Sequence, residues 1–171
     1  MSIAHASLLA TSSSVSGKGG AFRTSGRNLG NIVTAEIAPD VTYVDHFTSV
    51  KGKRKKDKIM ANTESLTIPF TFDEVNYNNL KKFFLGSALS SNTIAVLEEP
   101  LVQGSAQLFF NTDTGNDITY FIPKCTIRPD GNLAVNTEDW WTGPMVIEVL
   151  YYDSGSWASK PFGMVLASNI S

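Results

Sequence analysis

The sequence predicts an α+β domain that is mainly β. We expect two antiparallel sheets packed as a sandwich or partial barrel, one flanking helix at about 73–85 and a long basic loop at about 48–60. Three observations carry this expectation. Short runs of β-branched and aromatic residues recur along the chain, separated by turn residues. A single stretch has apolar residues at helical spacing. Finally, KGKRKKDK at 51–58 gathers six of the fourteen Lys and Arg residues into eight positions between two strand-like runs.

Residues 1–31 are rich in Ser, Gly and Ala, with SGKGG at 16–20 and RTSGRNLGN at 23–31. With so little apolar material to bury, this segment is expected to be a flexible arm that orders on assembly, ahead of a single domain over 32–171. IVTAEIA and VTYVDHF follow as strands, divided at Pro39-Asp40. After the basic run, ESLTIPFTF places Leu66, Ile68, Phe70 and Phe72 on one face at period two. Pro69 has no amide to donate, so it predicts an edge position or a bulge.

The helix is read in TFDEVNYNNLKKFFLG, residues 71–86. Thr71 and Glu74 have capping-box spacing, and Asp73 and Glu74 suit the positive end of the helix dipole. Tyr77, Leu80, Phe83 and Phe84 form the packing stripe, Lys81 and Lys82 suit the other end, and Gly86 is expected at C′. Strand signals then resume in TIAVLE, SAQLFF, ITYFI, CTI, LAV and PMVIEVLYY, with NTDTGND (111–117) and RPDG (128–131) as turns.

Catalytic constellations find no support in these residues. His5 and His46 are the only histidines, and Cys125 is the only cysteine, which excludes an internal disulfide. Glu98-Glu99 and Glu138-Asp139 are neighbours in sequence, and neighbours on a strand point to opposite faces. NTDTGND lacks the terminal Glu of a calcium-binding EF-hand, and SGKGG lacks the spacing of a phosphate-binding loop. Asn169-Ile170-Ser171 fits a glycosylation acceptor, but MSIAHASLLATSSS lacks the basic leader of a signal peptide. No apolar run approaches the ~20 residues of a membrane span. No enzyme activity, cofactor or metal is therefore expected.

The net charge of −2 conceals a segregation. Residues 51–58 carry net +5, leaving eight basic and fifteen acidic residues elsewhere, net −7. Lys51, Lys53, Arg54, Lys55, Lys56 and Lys58 are thus candidates for contact with another subunit or ring. A solvated hairpin tip, a nuclear address and a phosphate grip are the competing readings.

The order LGNIVTAEIAPD, VDHFTSVKGKRKKDK, SLTIPFTFDEVNYNNLKKFFLG, GSAQLFF, FIPKCTIRPDGNLAV and IEVLYYD resembles the major tail tube proteins of long-tailed, siphovirus-like bacteriophages. The similarity runs over roughly residues 22–163, and FTFDEVNYNNL with FFLG is its most specific piece. The resemblance implies a β-sandwich with its helix outside and a hairpin loop, at 45–62, reaching toward a neighbour. It also implies hexameric rings stacked into a tube, through which viral DNA passes without sequence-specific binding. Tape-measure, terminator and baseplate proteins would be its partners. It would be located in the virion tail after assembly in the bacterial host cytoplasm. Two alternatives are a tail-completion or baseplate ring protein and a nucleic-acid-binding module that uses the basic loop.

Overall fold

The computed structural model describes residues 3–12, 26–73, 75–101, 103–112, 117–135 and 141–168. Its strands are β1 (Ile3–Ser12), β2 (Gly26–Ala35), β3 (Ala38–Val50), β4 (Lys53–Phe72), β5 (Ser87–Ser90), β6 (Thr93–Ala95), β7 (Gln103–Thr112), β8 (Asp117–Pro129), β9 (Gly143–Val149) and β10 (Met164–Ser168). One helix, α1 (Tyr77–Phe83), follows β4. Eight strands form a curled antiparallel sheet in the order β10-β8-β7-β1-β2-β4-β3, with β9 bridging β8 and β4. The pairings β4–β9–β8–β7–β1–β2 therefore run in a circuit and return to β4. β5 and β6 make a second, two-stranded sheet. The mainly β class, the partial barrel and, among the described residues, the single α-helix are as the sequence predicts.

The core lies inside the curl. Ile68, Phe70 and Phe72 from β4, Leu108 from β7, Ile122 and Cys125 from β8, and Met145 and Ile147 from β9 are all buried. The period-two row in ESLTIPFTF is thus the inward row of β4, with Leu66 half-buried at its outer end. Pro69, however, is not on an edge. It pairs with Val146 of β9, and on its other side the neighbouring strand breaks at Glu36-Ile37 between β2 and β3. Its carbonyl accepts from the Glu36 amide at 2.9 Å, so the missing donor falls at a corner of the sheet. Similarly, ITYFI and CTI merge into one strand, because Pro123 and Lys124 bulge opposite Ser105 of β7.

The helix bounds are corrected, and the chain's start contributes strands. Within 1–31, the described residues 3–12 form β1 and 26–31 begin β2, both in the large sheet. The helix begins at Tyr77, not at about 73, because Thr71 and Phe72 remain paired with Pro144 and Gly143 of β9. Asn76 then serves as N-cap, its side chain accepting from the Asn79 amide at 2.9 Å. No acidic residue occupies the first turn, whereas Lys81 and Lys82 do occupy the last.

The packing stripe also rotates. Asn79 and Phe83 are the buried helix residues, with Phe83 edge-on to Phe72 at 6.3 Å between ring centroids. Tyr77 and Leu80 are half-buried, and Phe84 is exposed against the edge of Phe83. At the C-terminus Leu85 takes the left-handed C′ position at φ 48, and Gly86 follows it. The Leu85 amide donates to Lys82 and the Gly86 amide to Lys81, which is a Schellman closure. Gly86 is required for closeness, since a Cβ there would collide with the Ile94 side chain and the Ala95 carbonyl.

Burial pushes the Cys125 thiol from about 9 up to about 12, and the Tyr120 hydroxyl from about 10 up to about 12. Lys82 acts in the opposite direction on the thiol, more weakly than burial. The unfolded chain releases both protons at lower pH than the folded one, so it binds fewer protons above pH 9. Stability from these groups is fully present below pH 9 and is lost as pH rises toward 12. Urea midpoints measured across that window are expected to fall. Native Cys125 is expected to resist an aqueous disulfide reagent at pH 8 and to react once the protein is unfolded.

SGKGG, Glu74, residues 113–116, Glu138-Asp139 and the 169–171 tripeptide lie outside the described residues. Among the described residues, no helix is long and apolar enough to cross a membrane. Among them also, no group of three His, Cys, Asp or Glu side chains is placed to hold a metal.

Candidate interaction site: a basic β-ribbon

The stretch expected as a long loop at about 48–60 is a pair of strands. VTYVDHFTSV has the β-branched and aromatic content of a strand, and it pairs with residues 53–64, KRKKDKIMANTE, despite the low β-propensity of Lys. Val50 pairs with Lys53, leaving Lys51 and Gly52 as a two-residue turn with φ of 51 and 73. Positive φ at both positions is the requirement of a type I′ turn, whose twist matches that of the flanking strands. Gly meets it without strain, and Lys51 does not. Lys51→Asn is accordingly expected to raise stability by up to about 1 kcal/mol, read as a higher urea midpoint.

Two bulges mark the ribbon's length. Thr42 pairs with Thr63 and Tyr43 with Ala61, so Asn62 is the extra residue; His46 pairs with Lys58 and Phe47 with Lys56, so Asp57 is the second. His46 Nδ1 lies 2.7 Å from Asp57 Oδ1 at that bulge, and Lys56 Nζ lies 2.6 Å from Asp45 Oδ1. Exposed pairs of this kind contribute about 0–1 kcal/mol each, enough to favour a register but not to build a core.

Along the thirteen residues from Lys53 to Ser65, β4 pairs with β3 on one side through every residue but the bulged Asp57 and Asn62, while β9 pairs with β4 only from Leu66 onward. At about 3.3 Å per residue this stretch extends about 40 Å. Every residue from Thr42 to Ser65 is exposed except the half-buried Thr48. The register puts Tyr43, Phe47 and Ile59 on the face continuous with Leu66, Ile68 and Phe70. Val44, Val50 and Met60 lie on the opposite face. Both faces thus carry exposed apolar side chains, and Tyr43 is 65% exposed.

The structure brings all six predicted cations to the outer part of the ribbon. Lys56 is held by Asp45, and the Arg54 guanidinium lies over the Phe47 ring at 5.0 Å. Among the described residues, Lys51, Lys53, Lys55 and Lys58 have no carboxylate within ion-pair distance. The tip is therefore a positive, solvated end on an apolar stem. The charge run marks it in the sequence. The stem's exposed Val44, Ile59 and Met60 could not be told from core residues by pattern alone.

A family model described as protein of unknown function UCP028589 matches residues 12–119. The chain belongs to that family. The match spans the ribbon, α1 and β5–β7, and it stops ahead of β9 and β10, which follow residue 119. No curated protein matches the chain.

Proposed function

We propose that this chain is a structural subunit that assembles with copies of itself through the β3–β4 ribbon. In its specific form the reading is a bacteriophage tail tube subunit, stacked as hexameric rings into a conduit for viral DNA. The observation that carries it is the ribbon itself. It extends about 40 Å, with apolar groups on both faces and unneutralised cations at the tip. A lone domain gains nothing from such an exposed stem, and an exposed apolar ribbon normally marks an interaction site.

The sheet edges support the same reading. The sheet path begins at β10 and ends at β3, and each of these strands pairs on one side only among the described residues. Met164, Val165 and Leu166 of β10 are exposed. Two unlike free edges on one molecule suit a head-to-tail contact that closes into a ring. The acidic remainder of the chain suits passage of DNA without adhesion, since like charges repel phosphate. Tape-measure, terminator and baseplate proteins are the partners this reading requires, in a virion tail.

Negative-stain electron microscopy of the purified protein is expected to show rings or tubes of one diameter, dispersed by high salt. A persistent monomer at high concentration, with tape-measure and assembly partners supplied, would overturn the reading. Single rings without tubes would favour a tail-completion or baseplate ring protein. A two-stranded ribbon also has the width to enter the major groove of DNA. Under that second reading, neutralising Lys53, Arg54, Lys55 and Lys56 abolishes DNA binding and flattens its salt dependence. A tube subunit instead binds DNA weakly and loses assembly on the same change.

A further inference from the structure

We infer that the surface formed by residues 84–101 is the acceptor on which the basic ribbon of a second copy of this chain docks. The inference rests on the self-assembly reading above and names the surface that the reading leaves open. Phe84, Leu89, Val96, Leu97 and Leu101 are all exposed, Leu89 and Leu97 at 69%. Such a concentration of large apolar side chains in one short stretch is the mark of a contact surface.

Local bonds hold this surface together. The Leu97 amide donates to the Phe84 carbonyl at 3.0 Å, and the Glu99 amide donates to the Leu85 carbonyl at 2.8 Å. These bonds lay 97–99 along the end of α1. The Tyr77 hydroxyl reaches the Ser90 and Thr93 carbonyls at 3.0 and 3.1 Å, which fixes the β5–β6 hairpin to the helix. Leu97 sits at φ 63, a left-handed conformation that a branched side chain avoids unless flanking bonds impose it. The patch is thus built and anchored, with its leucines turned outward.

Charge selects the occupant. Glu98 and Glu99 lie within the apolar group, and both are exposed. Glu99 faces Lys81 at 3.6 Å, while Glu98 takes part in no ion pair among the described residues. The ribbon presents the complement: apolar groups along its stem and unpaired Lys51, Lys53 and Lys55 at its tip. Within one copy the two surfaces do not satisfy each other, since both remain exposed. Donor and acceptor are different surfaces, so the contact is heterologous and propagates from copy to copy.

Charge reversal in both partners tests the pairing. K53E/R54E/K55E on the ribbon and E98K/E99K on the acceptor are each expected to cut the assembled fraction at least ~10-fold at low salt, by sedimentation velocity. Combining both sets in one chain, or mixing the two variants, is expected to restore assembly. If ribbon reversal abolishes assembly and acceptor reversal neither impairs nor rescues it, the ribbon docks elsewhere. The inference then falls and the self-assembly reading survives. If the wild-type chain never assembles, both fall. Zero-length carbodiimide cross-linking of wild-type assemblies gives a check that needs no variant. Bonds between ribbon lysines and Glu98 or Glu99 of another copy are expected, and links confined to other carboxylates would overturn the acceptor assignment.

Discussion

Cutting the ribbon back to the Val41–Glu64 pair and closing it with Asn-Gly is expected to abolish assembly and leave the fold intact. The thermal midpoint should stay within ~4 °C of wild type, the shift that about 1 kcal/mol produces in a domain of this size. The reason is burial: every residue from Thr42 to Thr63 is exposed except the half-buried Thr48, and none belongs to the core cluster. Val41 and Glu64 already face each other in register, so a two-residue turn can close the shortened hairpin. The excision also removes all six clustered cations, leaving the chain more acidic and more soluble. Tubes formed by the shortened chain would rule out the ribbon as the contact. A shortened chain that unfolds would make the ribbon part of the fold.

Phe72→Ala is expected to have the opposite profile, a loss of about 3–5 kcal/mol of stability, measured from urea midpoints. Phe72 is 1% exposed at the place where β2, β4, β9 and α1 meet. Its ring packs on the Cα of Gly143, where a Cβ would strike it, and edge-on against Phe83. Truncation leaves a cavity that these backbone segments cannot collapse to fill. Against a typical total of about 5–15 kcal/mol, the loss brings the domain close to unfolding. Tyr43→Ala serves as the control, since its ring is 65% exposed on the ribbon. A change within about 0.5 kcal/mol is expected there, with the effect appearing in assembly. A Phe72→Ala loss below ~1 kcal/mol would mean that the curl repacks freely, contrary to the geometry.

Much of this architecture is legible in the residues. The period-two row Leu66, Ile68, Phe70 and Phe72 identifies the inward face of β4, and the apolar run at 144–149 identifies β9. The Asn-rich, lysine-ended helix and the dense positive charge at 51–58 are equally plain. What local pattern misjudges is where partners intervene. Thr71 and Phe72 have helix-entry neighbours, but pairing with Pro144 and Gly143 holds them in the strand. Pro69 reads as an edge residue until the break at Glu36-Ile37 supplies the corner it needs.

At the candidate site the chemistry is legible in the residue types: six cations in eight positions on an otherwise acidic chain. Its shape comes from long-range pairing. Repulsion among lysines favours an open loop, yet cross-strand pairing with VTYVDHFTSV and a two-residue turn at Lys51-Gly52 make a ribbon of them. Tertiary structure likewise separated exposed Leu89 and Leu97 from buried Leu108, which are alike in sequence. Residue type sets the free energy of leaving water, but only the neighbours brought up by the fold decide whether a side chain leaves it.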